Sequence, residues 1–327
     1  MSGTILPTGD TNLEVPFQKL WNVALSDSCD VFEAAITDFI TDVDSPIMNL
    51  AKVHCTLPLE ISNRLLIAVA SRSYKSTSLK VYLLVNKHHA DVNAIALEEN
   101  PYGSCVLSMA LASRRDDAAR ALLDLGANAN LQLGPRGQHP LIDTAFKGCP
   151  LVLEAMYKHG ADFNITNGWG NTVLVAAITG GHVESVRFLI ETVELDPNTP
   201  GGSGLRVMVI EDKNVPLQHD VSWNVRRDLM WSPLHAAVNL KHPDGVEMVK
   251  ILMKAGANVN QRCELPHSTI DGVECLGYTP LELLTVYNNL DTAVCSPRYD
   301  LEAMAECKNI LLAGMKQCGT APIVSEY

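Results

Sequence analysis

WSPLHAAVNLKHPDGVEMVKILMKAGANVN (residues 231–260) holds two apolar patterns at helical spacing, separated by a turn and closed by a Gly-Ala-Asn ending. Ser232 before Pro-Leu is a helix cap, with proline in a first turn where its missing N–H costs nothing. Ala236 and Ala237 let a neighbouring helix approach closely. Gly256 follows the second helix, where a left-handed C-cap is needed. GWGNTVLVAAITGGHVESVRFLIE (168–191) repeats the pattern, with Thr172 before the first helix and Ala176 and Ala177 at the small positions.

The same signals recur along the chain. Endings fall at HADVN (89–93), GANAN (126–130), GADFN (160–164) and GANVN (256–260), with a degenerate LDPN at 195–198. From Asn93 the steps to Asn130, Asn164 and Asn198 are 37, 34 and 34 residues. A second anchor recurs between these endings and after the last of them: CVLSMAL (105–111), HPLIDTA (139–145), TVLVAAI (172–178), SPLHAAV (232–238) and TPLELLT (279–285). One unit is thus turn, short helix, turn, longer helix, ending. No such unit buries its apolar face alone, so the units stack into an all-α repeat solenoid.

These residues resemble the ankyrin repeat family. The resemblance is strongest from about 100 to 262; 59–94 keeps the ending and lacks TPLH, while 277–316 keeps GYTPLELL and lacks the ending. It implies an ankyrin array of about six helix-turn-helix units with β-hairpin fingers. The expected organisation is N-terminal capping helices over 1–58, repeats over 59–198, a β-hairpin insertion over 199–229, repeats and a C-terminal cap over 230–318, and a tail over 319–327.

The insertion announces itself by spacing. Asn198 and Asn260 are 62 residues apart, about 28 more than one repeat, and the excess includes LRVMVIEDKNVPLQHDVSWNV (205–225), which alternates apolar and polar residues on both sides of Glu-Asp-Lys-Asn. In the ankyrin register this is an enlarged finger. QRCELPHSTIDGVEC (261–275) enlarges the next finger, and NNLDTAVCSPRYD (288–300) falls between the helices of the last repeat. Insertions in repeat proteins map to loops, often on the binding face. The competing reading is a local clamp, with Val207, Val209, Val221 and Trp223 covering neighbouring helices.

Composition bounds the function. The chain has 327 residues, 47% of them apolar, and no apolar run near the length of a membrane span. With no basic segment followed by an apolar block at the N-terminus, it reads as cytoplasmic, soluble and without membrane insertion. Nine cysteines, scattered and without a CxxC pair, fit a reducing compartment. Against 37 Asp and Glu there are 25 Lys and Arg, a net charge of −12 that opposes nucleic-acid binding and favours a basic protein or peptide partner.

The resemblance also implies where a partner binds: at finger tips and at the residues ending each first helix. The finger positions are Tyr102, Arg136, Trp169, Leu229, Trp231 and Tyr278. The helix-end positions are Phe146, Lys147, Thr179, Asn239, Leu240 and Tyr287. Val209, Lys213 and Trp223 represent the insertion. Tyr, Trp and Arg are the residues most enriched at interface hot spots; stacking between fingers is the competing role for each aromatic. The same resemblance makes Asn130, Asn164 and Asn260 possible substrates of an asparaginyl hydroxylase, whereas on plain physical grounds each asparagine pins its turn.

Nothing assembles a catalytic site. His235 and His182 sit where the resemblance implies hydrogen bonding between repeats, Cys149 precedes a proline in a helix–helix turn, and GGSG (201–204) lacks the Lys-Ser/Thr of a phosphate loop and reads as a flexible loop. Cys263, His267, Cys275 and Cys295 match no standard zinc spacing, so neither metal nor cofactor is expected. The leading functional reading is a non-enzymatic protein-binding adaptor, scaffold or inhibitor. A self-assembling structural protein is the alternative, and a metal-binding or enzymatic protein built on the insertions comes third.

Overall fold

The computed structural model describes residues 11–42, 48–96, 104–131, 139–168, 170–202, 230–240, 243–263, 269–270, 273–274, 277–284 and 301–317. The helices run in pairs: α1 (Thr11–Ser26) with α2 (Cys29–Asp42), followed by α3 (Met48–His54); α4 (Leu59–Arg72) with α5 (Thr77–Asn86); and α6 (Val106–Ala112) with α7 (Asp116–Asp124). Next come α8 (Pro140–Lys147) and α9 (Pro150–Lys158), α10 (Val173–Thr179) and α11 (Val183–Glu191), and α12 (Pro233–Asn239) and α13 (Pro243–Lys254). The chain is helical again over 280–284 and in α14 (Leu301–Gln317). Two short hairpins, β1 (Gly201–Gly202) with β2 (Met230–Trp231) and β3 (Thr269–Ile270) with β4 (Val273–Glu274), are both antiparallel.

Two compact units divide the chain, one comprising 1–144 and 151–162, the other 145–150 and 163–327. In the N-terminal unit first helices stack on first helices, α1 on α4 on α6, and second on second, α2 on α5 on α7. The α1–α2 pair therefore packs as a repeat would, although no repeat ending follows it. In the C-terminal unit α10 stacks on α12, and α11 on α13 on α14.

From α6 onward, first helices are capped by whatever side chain stands at the anchor, whereas α4 follows Pro58 without a side-chain cap. Thr172 and Ser232 accept from the N–H groups of Val175 and His235, and Thr279 accepts from Glu282 while the Glu282 carboxylate accepts the Thr279 N–H at 2.8 Å, a reciprocal capping box. Cys105 performs the same task with sulfur, accepting from Ser108 at 3.3 Å, and His139 with its imidazole, accepting from Leu141.

Second helices end in a shared left-handed turn. Gly126, Gly160 and Gly256 have φ of 90°, 75° and 89°, and the two endings without glycine place His89 (54°) and Glu194 (59°) there. The closing asparagines link repeats. The side-chain carbonyls of Asn93 and Asn130 accept the N–H groups of Asn128 and Asp162 in the N-terminal unit, and Asn198 accepts that of Asn258 in the C-terminal unit, all at 2.7–2.9 Å. Each of these asparagines therefore pins the turn of the repeat after its own, a partner that only stacking brings into reach; Asn63 of α4 accepts the Asp91 N–H within its own repeat.

One register of the second helices carries a buried charge in α5. Ala118, Val152, Ser185 and Met248 each lie four residues before the residue whose carbonyl closes the second-helix turn, and all are fully buried. At that register α5 carries Lys80, also fully buried. Its ammonium donates to the Ala24 carbonyl at the end of α1 (2.7 Å) and to Ser73 Oγ (3.1 Å), and stands 5.8 Å from the centre of the Phe32 ring. Burial lowers its affinity for the proton. The lysine replaces a core methylene with a donor that closes the open carbonyl end of α1.

Candidate functional site

The fingers begin at the caps. Ile95 bridges to Cys105 and Thr166 to Thr172, each an isolated antiparallel pair. Gly201 and Gly202 pair with Trp231 and Met230, and the Cys263 N–H donates to the Tyr278 carbonyl at 3.0 Å. The segments 203–229 and 264–276 thus leave and rejoin the array at equivalent places. Adjacent bases also touch, since the Gly202 N–H donates to the Gly170 carbonyl at 2.8 Å.

His235 ties the two bases together. Its Nε2 lies 2.8 Å from the Tyr278 carbonyl, which only accepts, so the proton sits on Nε2 and Nδ1 takes the Ser232 hydroxyl at 2.6 Å. Burial outweighs the favourable carbonyl and pushes its pKa down to about 4. This is a neutral, fully employed imidazole, unsuited to general base work. Arg262 braces the second base, donating to the Gly277 carbonyl and facing the Glu282 carboxylate with both terminal nitrogens, at 3.2 and 3.3 Å.

At the opposite end of each first helix lies a row of turns. In the C-terminal unit it passes through Phe146 and Lys147, Thr179, then Asn239 and Leu240. A side chain at Gly180 would strike the Phe146 carbonyl, so successive turns abut. The second helices present a different surface: Arg187 reaches Glu247 at 3.1 Å and lies near Glu184 and Glu191, Lys254 approaches Glu191, and Lys250 pairs with Glu306 at 2.8 Å.

Residues 141–263 match a family model described as ankyrin repeats, in three copies. The repeats over 141–263 are ankyrin repeats. A putative ankyrin repeat protein of Rickettsia felis is 27% identical over 143 residues, 44% of this chain, and the match spans 38% of that relative's length. The crystal structure of an ankyrin repeat domain from Acinetobacter baumannii superposes with a TM-score of 0.51 at 22% identity, covering 76% of this chain and 96% of that one, a likeness of fold alone. Ankyrin repeats are in general protein–protein interaction modules and typically non-enzymatic.

Within the ankyrin register the predicted contact residues separate into three groups. Phe146 and Tyr278 are exposed, at 54% and 45%, and Lys147, Thr179, Asn239 and Leu240 are half-buried on the turn row. Trp231 is a correction: it is only 2% exposed and belongs to the core. The strand opposite it is glycine at both positions, and a large ring across from glycine covers an otherwise bare strand. Tyr102, Arg136, Trp169, Tyr287 and Leu229, with Val209, Lys213 and Trp223 of the insertion, lie outside the described residues.

The GGSG reading is corrected as well. Gly201 and Gly202 are buried and paired, and a Cβ on Gly201 would sit 3.0–3.1 Å from Val175 and Thr172, so these glycines allow close approach to a helix. Cys263 is buried, which raises its thiol pKa, and His267, Cys275 and Cys295 lie outside the described residues. Among the described residues no group of His, Cys, Asp or Glu is placed to hold a metal ion, and no helix is long and apolar enough to cross a membrane.

The second enlarged finger contains the hairpin β3–β4, with the Asp-Gly pair at 271–272 between Thr-Ile and Val-Glu in the sequence. One feature escaped the sequence reading. Tyr74, 78% exposed on the α4–α5 turn, has the Arg115 guanidinium 4.5 Å from its ring centre. That turn lacks the TPLH anchor upstream, so counting from anchors passed over it.

Proposed function

We propose that this chain is a non-enzymatic adaptor, scaffold or inhibitor that holds a partner protein along its first-helix ends, its finger tips and the enlarged finger 203–229. The observation that carries this reading is the contrast between the two layers of the C-terminal unit. Charges on the second helices are engaged with one another, from Arg187 to Lys250 and Glu306, whereas the turns and fingers keep Phe146 and Tyr278 exposed. Exposed aromatics beside half-buried polar neighbours are the composition of a hot spot and its rim. The net charge of −12 supports long-range steering of a basic partner. The thiols Cys29, Cys55, Cys105, Cys263 and Cys307 support a reducing compartment such as the cytoplasm.

The test is affinity capture with the intact chain, a variant whose residues 203–229 are replaced by a short Gly-Ser turn, and a Phe146→Ala/Tyr278→Ala variant, each first shown to be folded by circular dichroism. Boundaries at 203 and 229 keep the buried base formed by Gly201, Gly202 and Trp231. A partner held by the intact chain and released by at least one variant is the expected result. A partner held equally by all three chains overturns the assignment of these residues.

A further inference from the structure

The first-helix turns of the N-terminal unit carry chemistry opposite in sign to the chain as a whole. Arg72, Tyr74 and Lys75 are exposed on the α4–α5 turn, and Arg114 is exposed and Arg115 half-buried on the α6–α7 turn. The Tyr74 N–H donates to the Leu25 carbonyl, seating the first turn against the end of α1, and the Arg115 guanidinium over the Tyr74 ring joins the second turn to the first. Among the described residues Lys75, Arg114 and Arg115 make no ion pair, and the Arg115 Nε is buried without a hydrogen-bond partner. Asp30, Asp116 and Asp117 lie in the first turns of α2 and α7, where the helix N-terminus stabilises them, and Asp27 accepts from the Ser26 hydroxyl.

Backbone geometry supplies an independent observation. The residue that turns the chain between first and second helix has positive φ at Arg114 (55°), Gly148 (72°) and Gly181 (78°), and each N–H donates to the carbonyl three residues back. Two repeats use glycine, which adopts that conformation without steric cost; the third holds an arginine there against an unfavourable backbone. An unfavourable residue kept at an exposed tip points to a use for its side chain.

We propose that this face docks an extended acidic segment of the partner protein, its carboxylates on Lys75, Arg114 and Arg115 and a neighbouring side chain on the Tyr74 ring. The inference rests on the reading that first-helix turns face the partner, and it specifies the chemistry the N-terminal ones select. Bulk charge steers from afar, but side chains in contact answer to neighbours within a screening length of about 8 Å. Guanidinium forks beside an exposed ring suit carboxylates in particular.

The test is selection of phage-displayed random dodecapeptides on the intact chain, followed by fluorescence anisotropy of the selected peptides against Lys75→Glu/Arg114→Glu, Arg114→Gly and Phe146→Ala/Tyr278→Ala. Selected peptides are expected to be enriched in Asp and Glu, to bind the charge-reversed variant about tenfold more weakly or worse, and to lose affinity as salt rises. Arg114→Gly separates folding from binding, since it should melt higher than the intact chain and still bind more weakly. Basic or uncharged selections, no selection at all, or undiminished affinity in the charge-reversed variant overturn the proposal. Non-acidic peptides lost only with Phe146→Ala/Tyr278→Ala remove this inference and leave the proposed function standing; peptides lost with no variant remove this inference and leave the proposed function to its own capture test.

Discussion

Trp231 and Tyr278 stand at the same register, one residue before the cap of a first helix at the return of an enlarged finger, yet one is 2% exposed and the other 45%. The finger before Trp231 departs through Gly201 and Gly202, which leave a bare strand for the indole to cover. The finger before Tyr278 departs through Arg262 and Cys263, and its base is braced by Arg262 on Glu282 and on the Gly277 carbonyl. Equal register therefore does not mean equal role. An insertion can be grafted onto this array by burying a ring or by pairing charges, and only the second solution leaves its aromatic outside.

The largest effect expected from this contrast is on stability. Trp231→Ala should destabilise the C-terminal unit by about 3–5 kcal/mol, as loss of a buried large ring does, with a lower midpoint in urea unfolding. A midpoint unchanged from the parent would mean that the ring is not part of the core.

The link between the two fingers comes next. His235 has a folded pKa near 4 against an ordinary 6.5, so the unfolded chain takes up a proton first as the solution is acidified. Its contribution is complete above pH 6.5, declines below it and is gone below about pH 4, a loss of roughly 3 kcal/mol. Buried His88, also held near 4 by desolvation, acts with the same sign. Unfolding by urea at pH 7.5 and pH 4.5 should show a smaller difference for His235→Gln than for the parent, with the remainder assigned by His88→Gln. An identical difference in both chains would remove His235 from the account.

Smaller still is the ionic brace. Glu282→Gln retains an acceptor for the cap but loses the charge opposite Arg262, and should cost about 1 kcal/mol in low salt and less in high salt. A cost independent of salt would show that the capping bond dominates. At the small end, Tyr278→Ala should change stability by no more than about 0.5 kcal/mol, because an exposed ring has little burial to lose. Destabilisation approaching that of Trp231→Ala would erase the distinction between the two bases.

Much of the fold is legible in the residues. Thr172, Ser232 and Thr279 announce their caps, and Gly126, Gly160 and Gly256 their left-handed turns, because these are local demands met within a few residues. Even where the signature fails, the geometry persists, with Cys105 and His139 capping and His89 and Glu194 turning; the stacked neighbours impose the conformation. The burial of Trp231 was not legible, since it depends on the glycines that meet it from the far side of an insertion. Nor was Lys80, whose acceptor at Ala24 is distant in sequence, nor Tyr74, whose companion Arg115 lies one repeat away.

By itself the sequence determined the repeat, its caps and turns, and the places where fingers are enlarged, because periodicity, proline, glycine and capping side chains act within one unit. Tertiary structure alone decided which members of each register are core and which are surface, where the asparagine carbonyls find their N–H donors, and how the Arg115 guanidinium of one turn comes to lie over the Tyr74 ring of another. Those outcomes are set by side chains from adjacent repeats. Stacking brings such residues together across distances that local chemistry does not span.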